Sequence, residues 1–217
     1  PAGLFAAETL AGKSLSVLVL DRGDEPLKRH DVNFGIGGAG AFSDGKLNLT
    51  SRIGGEPESF GRKADGVEEL IQQIDEIFTS LGVTGGYSGE NGEAYQTLLR
   101  AAHAAGVEFI FAKQRHIGTD RLQDIIQRFY ERLIEKGIQF CPNTSVDKIS
   151  REGEFFKLTC KEEVYFARAV IAAPGRAGAY WLREQAHNLG IHTMYGPIDV
   201  GVRVEFPDDI YRPIAAV

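Results

Sequence analysis

The sequence has little sulfur: two cysteines and one methionine in 217 residues, with a single tryptophan. Cys141 and Cys160 do not form a C-x-x-C pair, so the dithiol of a disulfide reductase is not visible. Two thiols in apolar, strand-like stretches read instead as small hydrophobes in a reducing, cytoplasmic setting. Positive charge is also scarce. A total of 24 Lys and Arg against 30 Asp and Glu leaves a formal charge of -6, which argues against nucleic acid or an anionic membrane surface as the partner. No apolar run approaches membrane-spanning length. No metal-ligand cluster, Ser-His-Asp order or G-K-[ST] motif stands out. These absences leave room for a bound nucleotide, because backbone N–H groups and a helix dipole hold phosphate without any surplus of Lys or Arg.

What is present is an α/β pattern. Pro1-Ala2-Gly3-Leu4-Phe5-Ala6-Ala7 reads as a helix start, with proline where a missing N–H costs little. The apolar stretch from Leu15 to Asp21 follows as an acid-ended strand. In a dinucleotide-binding βαβ unit the third glycine of G-x-G-x-x-G lets the helix pack against the sheet, and a carboxylate about 20 residues on accepts hydrogen bonds from ribose hydroxyls. Gly3 and Asp21 fit those two places. From the residues alone, Gly3 is equally a packing glycine and Asp21 a solvated strand end.

The run from Gly35 to Lys46 is too rich in glycine and alanine for a stable helix or an interior strand. It makes a loop whose backbone can approach another group closely, or, on composition alone, a flexible surface loop. A helix is predicted from Asp65, capped by that residue, with Val67, Leu70, Ile71, Ile74 and Phe78 as its apolar stripe. A second covers 92–105, and 108–112 reads as a short strand. Thr119 is the expected N-cap of a helix that buries Leu122, Ile125, Ile126, Phe129 and Leu133, stopped by Gly137. Strands are expected near 138–141, 145–150, 155–160 and 163–166, the last three as a β-meander. The apolar stretch 169–173 reads as a strand running into Pro174-Gly175, a helix follows over 179–189, and 200–206 reads as a final strand.

This order of elements resembles the glutathione-reductase-like FAD-binding fold. Pro1-Ala2-Gly3 is similar to the tail of its dinucleotide fingerprint, Asp21-Arg22-Gly23 to its ribose-binding acid, and Val170-Ile171-Ala172-Ala173-Pro174-Gly175 to its later A-T-G-type strand end. Pro174 stands where that pattern usually has Thr, which removes a hydroxyl and an N–H. Three longer segments resemble the uncharacterised FAD-dependent dehydrogenase family: Gly37-Gly38-Ala39-Gly40-Ala41-Phe42-Ser43-Asp44-Gly45-Lys46-Leu47, His116-Ile117-Gly118-Thr119-Asp120-Arg121-Leu122 and Val200-Gly201-Val202-Arg203-Val204-Glu205.

The resemblance implies an α/β, Rossmann-like FAD-binding fold with a β-meander and a small helical insertion, lacking its first strand and C-terminal part. The divisions it implies are 1–52 and 110–190 for FAD binding, 53–109 for the helical insertion, and 191–217 for the start of a substrate domain. The implied activity is flavin-mediated hydride or electron transfer on a small-molecule substrate, with FAD as cofactor and NAD(P)H as a candidate electron donor. The alternative is a non-catalytic nucleotide-binding or interaction module of the same fold. The implied cofactor-binding residues are Gly3, Asp21, Arg22, Gly37, Gly38, Ala39, Gly40, Ser43, Val146, Pro174 and Gly175. Lys46 near the flavin and His116 as a proton donor or acceptor are the candidate catalytic groups. Each has a plain reading beside it, Lys46 as a solvated loop lysine and His116 as a structural residue before a helix. Arg203 is either a substrate-carboxylate partner or a strand arginine bridging to Glu205. Loss of the first strand predicts unpaired edges on the strand ending at Asp21 and on 169–173, open to pairing with other chains as a homo-oligomer. It also predicts that these 217 residues alone hold no stoichiometric FAD.

Overall fold

The computed structural model describes residues 1–53, 61, 64–88, 92–110, 112–161, 163–196, 200–202 and 204–215. Two compact units make up the chain, one of residues 1–45 and 118–195, the other of 46–117 and 196–217.

The first unit is built on helix α4 (Thr119–Glu135). Its apolar residues recur every three or four positions, so Leu122, Ile125, Ile126, Phe129, Tyr130 and Leu133 form one buried face. Helix α1 (Ala2–Leu10) packs against α4 with Phe5 edge-on to Phe129 at 5.3 Å between centroids, and it buries Leu4 and Ala7. Glu8 ties the two helices by accepting from Arg132 and from Lys136, the latter at 2.7 Å. Strand β1 (Leu18–Leu20) runs parallel to β5 (Gln139–Cys141), and the pairing extends at both ends through Gln139 N–H to the Val17 carbonyl and Asp21 N–H to the Cys141 carbonyl.

The expected meander is present: β6 (Val146–Glu152), β7 (Phe155–Cys160) and β8 (Val164–Ala167), antiparallel throughout, with a bulge between Val146 and Lys148. Helix α5 (Ala179–Asn188) lies beside β6 through one polar side chain. Gln185 is 2% exposed, accepts the Ile149 N–H at 2.8 Å and donates to the Asp147 carbonyl, satisfying backbone groups at the bulged edge.

The second unit holds β2 (Lys46–Asn48), α2 (Ala64–Ser80), β3 (Tyr87–Ser88), α3 (Glu93–Ala104), β4 (Gln114–His116) and α6 (Asp208–Ala215). β4 is the middle strand of the antiparallel sheet β2-β4-β3. Arg115 of β4 is buried against α2, where its Nε and one terminal nitrogen meet the two carboxylate oxygens of Asp75 at 2.6 and 2.8 Å. The Tyr87 hydroxyl donates to the same carboxylate at 2.7 Å. This pair fixes the sheet to the helix.

Several expectations are corrected. The strand expected over 108–112 is absent among its described residues, and the pairing falls on Gln114–His116, which finds partners in both β2 and β3. Thr119 is not the N-cap of α4: Gly118 holds that place, without a side-chain cap bond. Residues 169–173 form no regular element and join no strand ladder, and Ile171 is 64% exposed. The described residues of 200–206 likewise form no strand, and Val200, Val202 and Val204 are exposed. An apolar run states a preference for burial but does not supply a partner. The capping side chain of Asp65 and all of Arg203 lie outside the described residues.

Candidate functional site

β1 and β5 are parallel, so their C-terminal ends lie at one edge, the edge at which open α/β sheets bind ligands. Asp21 follows β1 there. Its carboxylate accepts the Gly23 N–H at 2.8 Å, and its carbonyl accepts the Thr144 N–H at 2.8 Å, while Asn143 N–H reaches the Gly23 carbonyl at 2.8 Å. The segment that leads into Val146 is thereby tied to the Asp21 turn. Burial raises the Asp21 carboxyl above its ordinary range, and the Gly23 N–H and the nearby Arg29 charge oppose that without cancelling it.

The glycine loop meets the same turn. A Cβ on Gly23 would lie 2.4 Å from the Gly35 nitrogen, so the two backbones are in direct contact. Gly37 and Gly38 have φ of 98° and 66°, conformations that favour glycine, and their neighbours leave no room for more. A Cβ on Gly37 would sit 2.6 Å from the Ile126 side chain of α4, and one on Gly38 would sit 2.7 Å from the Pro1 ring at the start of α1. The loop is therefore wedged between α4 and the α1 N-terminus, and it ends in a 3-10 turn over Ala39–Phe42.

Arg29 lies inside this loop, 5% exposed. One terminal nitrogen donates to the carbonyls of Ile36 at 3.1 Å and Gly38 at 2.8 Å, and the other to those of Asp31 at 3.0 Å and Val32 at 3.1 Å. The Phe42 ring covers its guanidinium at 4.8 Å. Inside the loop, Ile36 N–H is taken by the Asp24 carbonyl, Gly38 N–H by Gly35 and Ala41 N–H by Gly38. Among the described residues, the N–H groups of Gly37, Ala39 and Gly40 meet no acceptor. Three backbone donors without acceptors within four residues suit an anionic or carbonyl oxygen.

The sequence-derived residues fall into two sets. Asp21, Gly37, Gly38, Ala39 and Gly40 share the first unit's site, with Val146 tied to it through Thr144. Gly3 lies beside Ala173, next to Pro174, but a Cβ there would meet Ala173 at an ordinary 3.9 Å, so the contacts of the described residues do not require glycine. Arg22 stacks on the Phe34 ring at 3.7 Å, Ser43 accepts the Gly45 N–H at 3.3 Å, and Gly175 is exposed with φ of 70°. In the second unit, Lys46 and His116 are register partners on adjacent antiparallel strands, both exposed. Asn48 and Gln114 pair in the same register and hydrogen-bond at 2.7 Å. Alternation places these four side chains on the sheet face opposite Leu47 and Arg115.

Sequence reasoning missed Arg29, and nothing in Lys28-Arg29-His30-Asp31 distinguishes it from its neighbours. It also missed the Asp75–Arg115 pair. A signal for that one was available, because Asp75 stands four residues after Ile71 and three before Phe78, on the apolar stripe of α2. Among the described residues no group of His, Cys, Asp and Glu is arranged to hold a metal ion, and no helix is long and apolar enough to cross a membrane.

No protein-family model matches the chain. An uncharacterized protein of Clostridium beijerinckii is 26% identical over 227 residues, covering 97% of this chain and 36% of that protein. The chain thus spans about a third of the length of this curated relative. Among solved structures, glycine oxidase from Geobacillus kaustophilus is similar with a TM-score of 0.51 and 16% identity, over 87% of this chain and 55% of that one. L-amino acid deaminase from Proteus vulgaris aligns with a TM-score of 0.45 and 12% identity, over 87% of this chain and 47% of that one. The likeness to glycine oxidase is one of fold: an α/β architecture with parallel and antiparallel sheets.

Proposed function

We propose that this chain carries the nucleotide-binding part of an FAD-dependent oxidoreductase of the glutathione-reductase-like kind, acting in the cytoplasm on a small-molecule substrate. One observation carries the reading. Three backbone N–H groups at Gly37, Ala39 and Gly40 have no acceptor among the described residues, and the carboxylate of Asp21 stands in the turn that touches their loop. Asp21 suits ribose hydroxyls, and the loop donors suit pyrophosphate or the polar edge of a flavin. When bound, FAD supplies hydride or electron transfer, and the protein binds, orients and electrostatically tunes it. NAD(P)H is the proposed electron donor.

On this reading 1–52 and 110–190 serve FAD, 53–109 is the helical insertion and 191–217 begins the substrate domain. Gly3, Arg22, Ser43, Val146, Pro174 and Gly175 complete the cofactor residues, and Lys46 and His116 are the candidates for work on the substrate side. The unladdered segment 169–173 supports a further strand between it and β1, from elsewhere in the whole protein or from a second copy of the chain.

Asp21→Ala in the whole protein tests the assignment. The variant loses a charged acceptor for ribose hydroxyls, a loss of about 1.5–3 kcal/mol in FAD binding, readable by fluorescence titration. Unchanged FAD affinity overturns the assignment.

A further inference from the structure

We propose that Arg29 is the positioning residue of the glycine loop, and that it aims the donors of Gly37 and Ala39 at the oxygen acceptors of the ligand. The proposal rests on the nucleotide-binding reading of the loop and adds to it the device that sets the loop's polarity. A trans peptide is planar, with its C=O and N–H pointing in opposite directions. The Ile36 carbonyl shares a peptide unit with the Gly37 N–H, and the Gly38 carbonyl with the Ala39 N–H. One terminal nitrogen of Arg29 holds both carbonyls, at 3.1 and 2.8 Å. The two N–H groups on the far sides of those peptides therefore point away from the guanidinium, and they are two of the three without an acceptor among the described residues.

The other terminal nitrogen holds the carbonyls of Asp31 and Val32, so the fork spans two segments of chain at once. Only a planar guanidinium has the donors and geometry for four carbonyls in this arrangement; an ammonium has three tetrahedral donors. Nε is buried with no partner, and a Cβ on Gly35 would crowd it at 2.9 Å. The group therefore sits in a close-fitting cage with no carboxylate hydrogen-bonded to it. The carboxylates of Asp21 and Asp31 act on it only through their charge.

The donors suit either of two sources of the same chemistry, the pyrophosphate or the carbonyl edge of the flavin ring, and ADP against FAD separates them. In the whole protein, Arg29→Lys and Arg29→Met are expected to lower FAD affinity roughly tenfold or more by fluorescence titration. If ADP affinity falls in parallel, the donors serve the pyrophosphate. If ADP affinity holds while FAD affinity falls, they serve the ring. Amide hydrogen exchange supplies a readout without ligand: the N–H groups of Ile36 and Gly38, protected through Asp24 and Gly35, lose protection in both variants while those of α4 keep it. Guanidinium ion at sub-denaturing concentration restores that protection in Arg29→Ala, an effect a merely space-filling role would not show. Wild-type FAD affinity with wild-type loop protection in Arg29→Lys overturns the proposal. Should Asp21→Ala also leave FAD binding unchanged, the nucleotide reading fails separately, and the exchange data alone decide whether Arg29 orders the loop.

Discussion

Arg29 and Arg115 are both nearly out of solvent, 5% and 8% exposed, and they are neutralised in opposite ways. Arg115, in the second unit, meets Asp75 fork to fork, and the Gly85 carbonyl accepts from its remaining terminal nitrogen. Its charge is cancelled where it sits. Arg29, in the first unit, is surrounded by carbonyl oxygens, which satisfy its two terminal nitrogens but leave its charge in place. A buried ion pair that is complete within itself holds elements together and leaves nothing for a ligand. A buried cation satisfied only by dipoles orients those dipoles, and the peptide units then carry the consequence outward. The first arrangement therefore reports on stability and the second on binding.

The largest expected effect tests the complete pair. Asp75→Asn leaves the Arg115 charge buried without its carboxylate and is expected to destabilise the second unit by about 3–5 kcal/mol, measured by urea denaturation. The Arg115 guanidinium, ahead of the Tyr87 hydroxyl, holds the Asp75 carboxyl below its ordinary range against the opposing effect of burial. The pair's contribution is thus fully present above the carboxyl's unfolded pKa and is lost as pH falls through its depressed folded value. The gap between wild type and Asp75→Asn should narrow only in that acid range. A pH-independent gap, or none at neutral pH, would break the contrast drawn between the two arginines.

A smaller effect is expected at the loop. Gly38 has φ of 66° and ψ of -172°, a region nearly confined to glycine, and a Cβ there would press the Pro1 ring at 2.7 Å. Gly38→Ala is therefore expected to cost about 1–3 kcal/mol by thermal or chemical denaturation, and to lose FAD binding out of proportion to that cost. A variant that is equally destabilised but binds FAD normally would show that the loop's shape does not serve the ligand.

How much of this was legible in the sequence follows from the range of the interactions involved. Helix α4 and the meander could be read because periodicities of 3.6 and 2 are local, and Leu122 through Leu133 carry one of them without interruption. The glycine loop was legible by composition. The 169–173 and 200–206 strands were not correctly read, because a strand exists only by pairing, and Ile171 and Val202 say nothing about a partner distant in sequence. Thr119 failed as a cap because a favourable hydroxyl competes with the chain's path, and Gly118 takes the N-cap place at φ of 94°. Arg29 was invisible for a related reason. Its role depends on carbonyls two to nine residues away that converge only once the loop has closed over it.

The smallest effect concerns Asp21, where the demands of binding and stability have opposite signs. Burial is the largest influence on its carboxyl and raises it above the ordinary value, outweighing the Gly23 N–H and the charge of Arg29. An acid with a raised folded pKa holds more protons folded than unfolded, so folding weakens as pH rises through that interval and keeps the full penalty above it. Asn at this position is neutral yet still offers an oxygen to the Gly23 N–H. Asp21→Asn should therefore melt slightly higher than wild type at neutral pH in the absence of nucleotide, and the advantage should vanish as pH drops below the carboxyl's unfolded pKa. The same substitution removes the charged acceptor for ribose and should weaken FAD binding. Calorimetric scans at neutral and acid pH, with and without FAD, measure both signs in one protein. A variant that melts lower at every pH would mean that Asp21 holds the turn by its charge, and that its carboxylate is structural before it is a ligand for ribose.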